Sequence, residues 1–162
     1  MDLFDKFGHL PELRSRLASA GANPFGVCMD EIVSATEALS GGRRILLAGT
    51  NNYLGLTFDP ACIEATQDAV AAHGTGTTGS RVANGTYDLH ETLERELADF
   101  LGLNSVLVFS TGYQANLGTI AGLAGADDTI LLDADCHASI YDGCRLSGAT
   151  IIRFQHNSPA DL

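Results

Sequence analysis

The chain has 162 residues, 45% of them hydrophobic and 18% charged, which excludes intrinsic disorder and supplies the apolar side chains of a core that buries roughly 68–70% of the unfolded surface at this length. Twenty acidic against nine basic residues give a net charge of −11, so nucleic acid and anionic lipid are not expected partners. No window approaches the roughly 18 apolar residues of a membrane helix, and Met1-Asp2-Leu3-Phe4-Asp5 lacks the basic and apolar regions of a signal peptide, so the expected location is the cytoplasm, with no integral membrane segment.

Residues 2–20 carry Leu3, Phe4, Phe7, Leu10, Leu13 and Leu17 at helical spacing, interrupted by Gly8 and Pro11, and predict an amphipathic helical arm in one or two pieces. The apolar run from Arg43 to Gly49 predicts a strand that opens into the turn Asn51-Asn52-Tyr53-Leu54-Gly55-Leu56. Pro60 then starts a helix to about Ala72.

Glycines and threonines from His73 to Gly85 write a long loop, and a loop of that length inside a domain usually serves function. Asp88 with Glu91 resembles a capping box opening a helix to about Leu101. Leu89, Leu93, Leu97, Phe100 and Leu101 are its expected buried face, and Glu91 with Arg95 an i,i+4 ion pair.

A pattern then repeats. Ser105 to Phe109 predicts a strand, Ser110-Thr111-Gly112 a turn, and the following residues a helix to about Ala124. Thr129 to Leu132 is the next strand, residues 134 to 148 its turn and helix, and Thr150 to Phe154 a third strand. Alternation at this spacing means βαβ units, hence an α/β fold with a mostly parallel, helix-flanked sheet in three layers. Ser158-Pro159-Ala160-Asp161 reads as a helix opening, and the expectation is a portion of a longer protein; a frayed polar tail is the alternative.

Cys28, Cys62, Cys136 and Cys144 form no CxxC pair and read as scattered buried thiols. A metal centre from Asp133, Asp135, Cys136, His137 and His156 matches no spacing that metal motifs use, and no metal is expected. Gly74-Thr75-Gly76-Thr77-Thr78-Gly79 satisfies GxGxxG, but it follows a helix where a dinucleotide fold needs a strand.

The turn at Ser110-Thr111-Gly112-Tyr113 carries more chemistry. It leaves a predicted strand and enters a helix, where free N–H groups and the macrodipole favour an anion, and Gly112 admits a phosphate close to the backbone. The residues Asp133-Ala134-Asp135-Cys136-His137 leave the next strand at the same sheet edge. His137 reads either as a residue that reaches a ligand held at Gly112 or as a cap-region histidine bonded to nearby backbone. Asn52 and Tyr53 at an earlier strand exit, and Arg81 on the glycine loop, read as turn and surface residues or as ligands.

NNYLGL at 51–56, HGTGTTGSRVANG at 73–85 followed by HETLE at 90–94, FSTGYQAN at 109–116 and DADCHASIYDG at 133–143 together resemble the α-oxoamine synthases, pyridoxal-phosphate enzymes of fold type I. NPFGVCMDEIVSATEA at 23–38, TFDP at 57–60 and RFQHNS at 153–158 are most similar to the soluble bacterial branch that joins L-serine to palmitoyl-CoA. The resemblance implies decarboxylative condensation of an amino acid with an acyl-CoA, with glycine or alanine as alternative amino donors. It implies that Gly112 and Tyr113 give backbone N–H groups to the phosphate of pyridoxal 5'-phosphate. His137 would cover the pyridine ring and touch the substrate carboxylate. Asn52 would lie on the substrate side, with Arg81 counted among the substrate-binding residues and the 74–81 loop near the interface of a homodimer.

Residues 1–42 would then be an N-terminal arm and 43–162 the first part of the cofactor-binding large domain. One departure from the family matters. Lys6 is the sole lysine and sits in the arm, whereas family members carry the cofactor-binding lysine further along, as they do the aspartate facing the ring nitrogen and an arginine for the substrate carboxylate. The chain alone is therefore expected to be inactive. A non-catalytic phosphate-binding or partner module is the rival from a different class.

Overall fold

A computed structural model describes residues 2, 4–19 and 26–162. They fall into two compact units, residues 1–76 and 77–162.

In the first unit the arm is in two pieces, a 3-10 turn at Asp5–Phe7 and helix α1 at Leu10–Ser19. Gly8 caps the first piece through its N–H on the Asp5 carbonyl, and Pro11 fits within the first turn of the second, where its missing N–H costs nothing. The apolar stripe is open, with Phe4, Phe7, Leu10 and Leu13 all exposed; Leu3 lies outside the described residues. Next comes an antiparallel sheet of β1 (Glu31–Ile32), β2 (Glu37–Ser40) and β3 (Arg43–Leu46). Its hairpin turns on Gly41 and Gly42, both at positive φ, the backbone a two-residue turn demands. Ala38 on β2 is fully buried. Helix α2 (Pro60–His73) starts where its proline predicts, with Asp59 Oδ1 accepting from the N–H groups of Ala61 and Cys62.

The second unit opens at Thr77, within the glycine loop, and continues into helix α3 (Asp88–Leu101). Its start differs from the expected capping box. Tyr87, not Asp88, is the N-cap, and His90 closes the box by accepting the Tyr87 N–H on Nδ1 at 3.0 Å. Arg95 reaches Thr92 Oγ1 at 3.4 Å in place of Glu91. The expected buried face is largely open: Leu89, Leu93, Phe100 and Leu101 are exposed, and only Ala98 on this helix is buried.

Residues 105–109 join no ladder among the described residues, so the first of the three expected strands is absent as a strand. Side chains take the place of a ladder here: the Val108 N–H donates to Glu94 and its carbonyl accepts from Arg81.

Helix α4 (Gly112–Leu123) follows, then β4 (Thr129–Asp133), helix α5 (Ala138–Ser147) and β5 (Thr150–Phe154). β4 and β5 pair in parallel from Thr129 with Thr150 to Asp133 with Phe154, which is the βαβ unit that the alternation predicts. Gly148 ends α5 in the left-handed region at φ 74°, a conformation glycine adopts without strain. Leu132 and Cys144 form the buried centre between sheet and helix. The closing residues make one turn, with the Ser158 carbonyl accepting from Asp161 and Leu162. The cysteines are free thiols, but only Cys144 is buried; Cys28 and Cys62 are exposed, against the expectation of buried thiols throughout.

Candidate active site

Two helix starts in the second unit are tied together. Thr111 caps α4, its hydroxyl accepting the Gln114 N–H at 3.1 Å. The N–H groups of Gly112 and Tyr113, in the first turn, have no intrahelical acceptor and remain for a ligand. A Cβ placed on Gly112 would meet nothing within 4 Å, so no neighbouring atom crowds the backbone on that side. This geometry suits a phosphate, since the macrodipole adds partial positive charge at the same end.

His137 caps α5. Its Nδ1 accepts the Ser139 N–H at 3.2 Å and lies 2.7 Å from Ser139 Oγ. The histidine itself is exposed, and Ser139 is fully buried. Asn116 of α4 donates to Ser139 Oγ at 2.9 Å. Three residues earlier in α4, the Tyr113 hydroxyl donates to Asp142 of α5 at 2.7 Å, and the carboxylate that accepts it pushes the phenol's pKa upward. Gly143 completes the contact: a Cβ there would crowd Ile120 and the Asn116 carbonyl at 3.1–3.2 Å.

Arg81 is committed within the protein. Nε donates to Thr86, Nη1 to the Val108 carbonyl at 3.4 Å, and Nη2 to both oxygens of Glu94 at 3.0 and 3.1 Å. Its guanidinium braces the glycine loop against α3 and the 105–109 segment. The Val108 N–H, and secondarily Arg81, hold the Glu94 carboxyl below the usual glutamate range. Beside them an open groove of about 660 Å³ is lined by Leu107, Phe109, Gln114 and Leu117.

Asn52 lies in the first unit and closes its own turn, donating from Nδ2 to Thr57 Oγ1 at 2.8 Å and to the Ala35 carbonyl at 3.3 Å. Tyr53 is 85% exposed. Among the described residues no three His, Cys, Asp or Glu side chains are grouped to hold a metal ion. Asp133 instead accepts the Asp135 N–H and pairs with His156 at 3.0 Å. The first of these bonds is the main reason its carboxyl lies below the usual aspartate range.

Residues 43–162 match the aminotransferase class I and II family. The chain belongs to that family. Among its relatives, a serine palmitoyltransferase of Caulobacter vibrioides is 54% identical over 162 residues, which is 100% of this chain and 40% of that protein. An 8-amino-7-oxononanoate synthase of Lysinibacillus sphaericus is 45% identical over 78% of this chain and 33% of that protein. Among solved structures, a serine palmitoyltransferase from S. paucimobilis with a bound PLP–myriocin aldimine superposes with TM-score 0.93 at 48% identity. It is matched over 99% of this chain and 41% of that one. The resemblance to α-oxoamine synthases and the mixed α/β fold with an N-terminal helix thus hold for this member of the class I and II family. The chain spans about 40% of the length of these serine palmitoyltransferases.

Sequence reasoning reached Gly112, Tyr113 and His137 but not Ser139, Asn116 or Asp142. For Ser139 a signal existed: a hydroxyl two residues past a histidine at a helix start is placed to bond back to it. For Asn116 and Asp142 none did, because their roles depend on how α4 meets α5.

Proposed function

We propose that this chain is the N-terminal portion of a pyridoxal-phosphate-dependent enzyme that condenses L-serine with palmitoyl-CoA, releasing carbon dioxide and CoA and giving 3-ketodihydrosphingosine, the first step of sphingolipid synthesis. The observation that carries this reading is the pair of helix starts, with donors for a phosphate at Gly112 and Tyr113 and an imidazole at His137 joined to the same helix through Ser139 and Asn116. These residues fit the phosphate and one ring face of pyridoxal phosphate. When bound, the cofactor supplies the electron sink that loss of carbon dioxide requires. Residues 1–42 are read as an arm and 43–162 as the first part of the large domain of a cytoplasmic homodimer.

Gly112 and Tyr113 bind the phosphate through backbone N–H groups. His137 covers the ring and donates to the substrate carboxylate, orienting the bond to be broken. Asn52 is assigned to the substrate side. Arg81, which braces the glycine loop, is assigned to the substrate side with it, and the 74–81 stretch of that loop is read as lying near the dimer interface. Lys6, the single lysine, stacks its ammonium over the Phe7 ring at 5.0 Å and is not assigned to the cofactor, so these 162 residues alone are expected to be inactive. That same fact favours a second reading, a non-catalytic module using the Gly112 helix start for a phosphate ligand.

The test is His137→Ala in the complete, lysine-bearing enzyme, with cofactor occupancy and turnover measured on one preparation. Occupancy should persist while kcat/KM falls roughly 100-fold, about 2.7 kcal/mol of transition-state stabilisation. Near wild-type turnover at full occupancy would remove His137 from the reaction, and absence of product from L-serine and palmitoyl-CoA would remove the assigned substrates.

A further inference from the structure

An imidazole that covers a ring and donates to a carboxylate has to present a proton on a particular nitrogen, and neutral histidine has two tautomers to choose from. The surroundings of His137 make the choice. The Ser139 backbone N–H can only donate, and it faces Nδ1 at 3.2 Å, so Nδ1 must offer its lone pair. The Ser139 hydroxyl, 2.7 Å from the same nitrogen, can either donate or accept. With Nδ1 bare the hydroxyl must donate to it, and Asn116 favours that arrangement from the other helix: its Nδ2 donates to Ser139 Oγ at 2.9 Å, occupying one of the oxygen's two lone pairs. Ser139 is fully buried, so water does not compete for either partner.

We infer that Ser139 and Asn116 are positioning residues that lock His137 as the Nε2–H tautomer, with Nδ1 held bare by two donors and Nε2–H the ring's single outward donor. Among the described residues Nε2 has no hydrogen-bond partner, and His137 is exposed, so that proton is free for an acceptor on a ligand. The inference rests on the proposed role of His137 for its purpose, but the tautomer is a property of the protein without cofactor.

The arrangement also explains why a histidine serves as a helix cap, a position where serine, threonine, aspartate and asparagine dominate. Capping through Nδ1 satisfies a first-turn N–H and in the same contact excludes the proton from that nitrogen. The hydroxyl adds a second donor, and Asn116 makes the state of α5's first turn depend on α4.

The experiment is solid-state NMR of the complete enzyme labelled with [15N]histidine and stripped of cofactor, with the His137 signals identified by their loss in His137→Gln. In the wild type, the nitrogen coupled strongly to both carbon-bound ring protons, Nε2, should be protonated and Nδ1 bare. Ser139→Ala and, independently, Asn116→Ala should each shift the tautomer ratio toward Nδ1–H by roughly 3- to 10-fold, the equivalent of one ordinary hydrogen bond. If Ser139→Ala does not fold, the half-buried Asn116 supplies the same test from the neighbouring helix. A wild-type ring protonated on Nδ1, or a ratio unmoved by either substitution, overturns the inference. The reading of His137 in catalysis fails separately, through unchanged turnover in His137→Ala with the wild-type tautomer intact.

Discussion

The carboxylate of Glu94 accepts the backbone N–H of Val108 at 2.8 Å. One side chain on α3 thereby does for the 105–109 segment what a neighbouring strand would do, and it holds Arg81 through both oxygens at the same time.

That double contact makes a pH prediction. A carboxyl whose folded pKa is depressed contributes stability that is fully present above its unfolded value and is lost as the pH falls through the folded one. Glu94→Gln keeps one acceptor and loses the charge, so near neutral pH its thermal midpoint should lie below wild type by roughly 2–6 °C. The gap should close as the solution is acidified from the ordinary glutamate range downward. Calorimetry of both proteins across that window checks it, and a gap independent of pH would show that Glu94 acts through shape alone.

At Gly85 the glycine loop folds back on itself. A Cβ there would land on the carbonyl of Gly79, a backbone atom with no side-chain freedom to yield, while the Gly85 N–H is already bonded to the Ser80 carbonyl at 2.9 Å. Gly85→Ala should therefore open the loop, cost about 2 kcal/mol or more, and release Arg81 from Thr86. Limited proteolysis should show new cleavage between residues 79 and 87; an unchanged digestion pattern and thermal midpoint would contradict the close approach.

Gly112 is the opposite case. A side chain at this position meets open space, and alanine is the better helix former, so Gly112→Ala should leave stability equal or slightly higher. If the proposed phosphate site is correct, the methyl group crowds the anion there, and affinity for pyridoxal phosphate should fall about 10-fold while affinity for pyridoxal, which lacks the phosphate, stays the same. Equal losses for both compounds would place the phosphate elsewhere.

Much of this was legible because it is local. Proline and aspartate punctuate the start of α2, glycine stops α5, and the βαβ rhythm writes out β4, α5 and β5. The antiparallel β2–β3 hairpin is also written, in Gly41-Gly42 between two short runs, although the strand expected at Arg43–Gly49 is only its second half. Other features depend on partners distant in sequence. The 105–109 run has strand composition, yet its pairing is decided by Glu94 and Arg81, 14 and 27 residues from Val108. The apolar face of α3 has the correct period, but period says which residues share a face and not what covers it. His137 was identifiable as a candidate, while the contacts that set its proton come from α4 and required the packed structure.

Lys6 offers a simple check on the division of labour between this chain and the rest of the proposed enzyme. Its ammonium rests on the Phe7 ring in the exposed arm. Pyridoxal phosphate added to residues 1–162 should give no saturable visible band that depends on a lysine. Such a band, abolished by Lys6→Ala, would overturn the assignment.

The bond from the Tyr113 hydroxyl to Asp142 has a consequence for inheritance. It links a residue whose backbone is assigned to the phosphate with one a turn beyond the residue assigned to the ring, so neither helix start can drift alone. Among descendants of a common ancestor, a phenylalanine at position 113 would leave the carboxylate at 142 to Arg145, 3.8 Å away, and to solvent, and a change at 142 would free the tyrosine. Substitutions at the two positions should therefore arrive together, and a graft of α4 from a distant relative should succeed only when the first two turns of α5 travel with it.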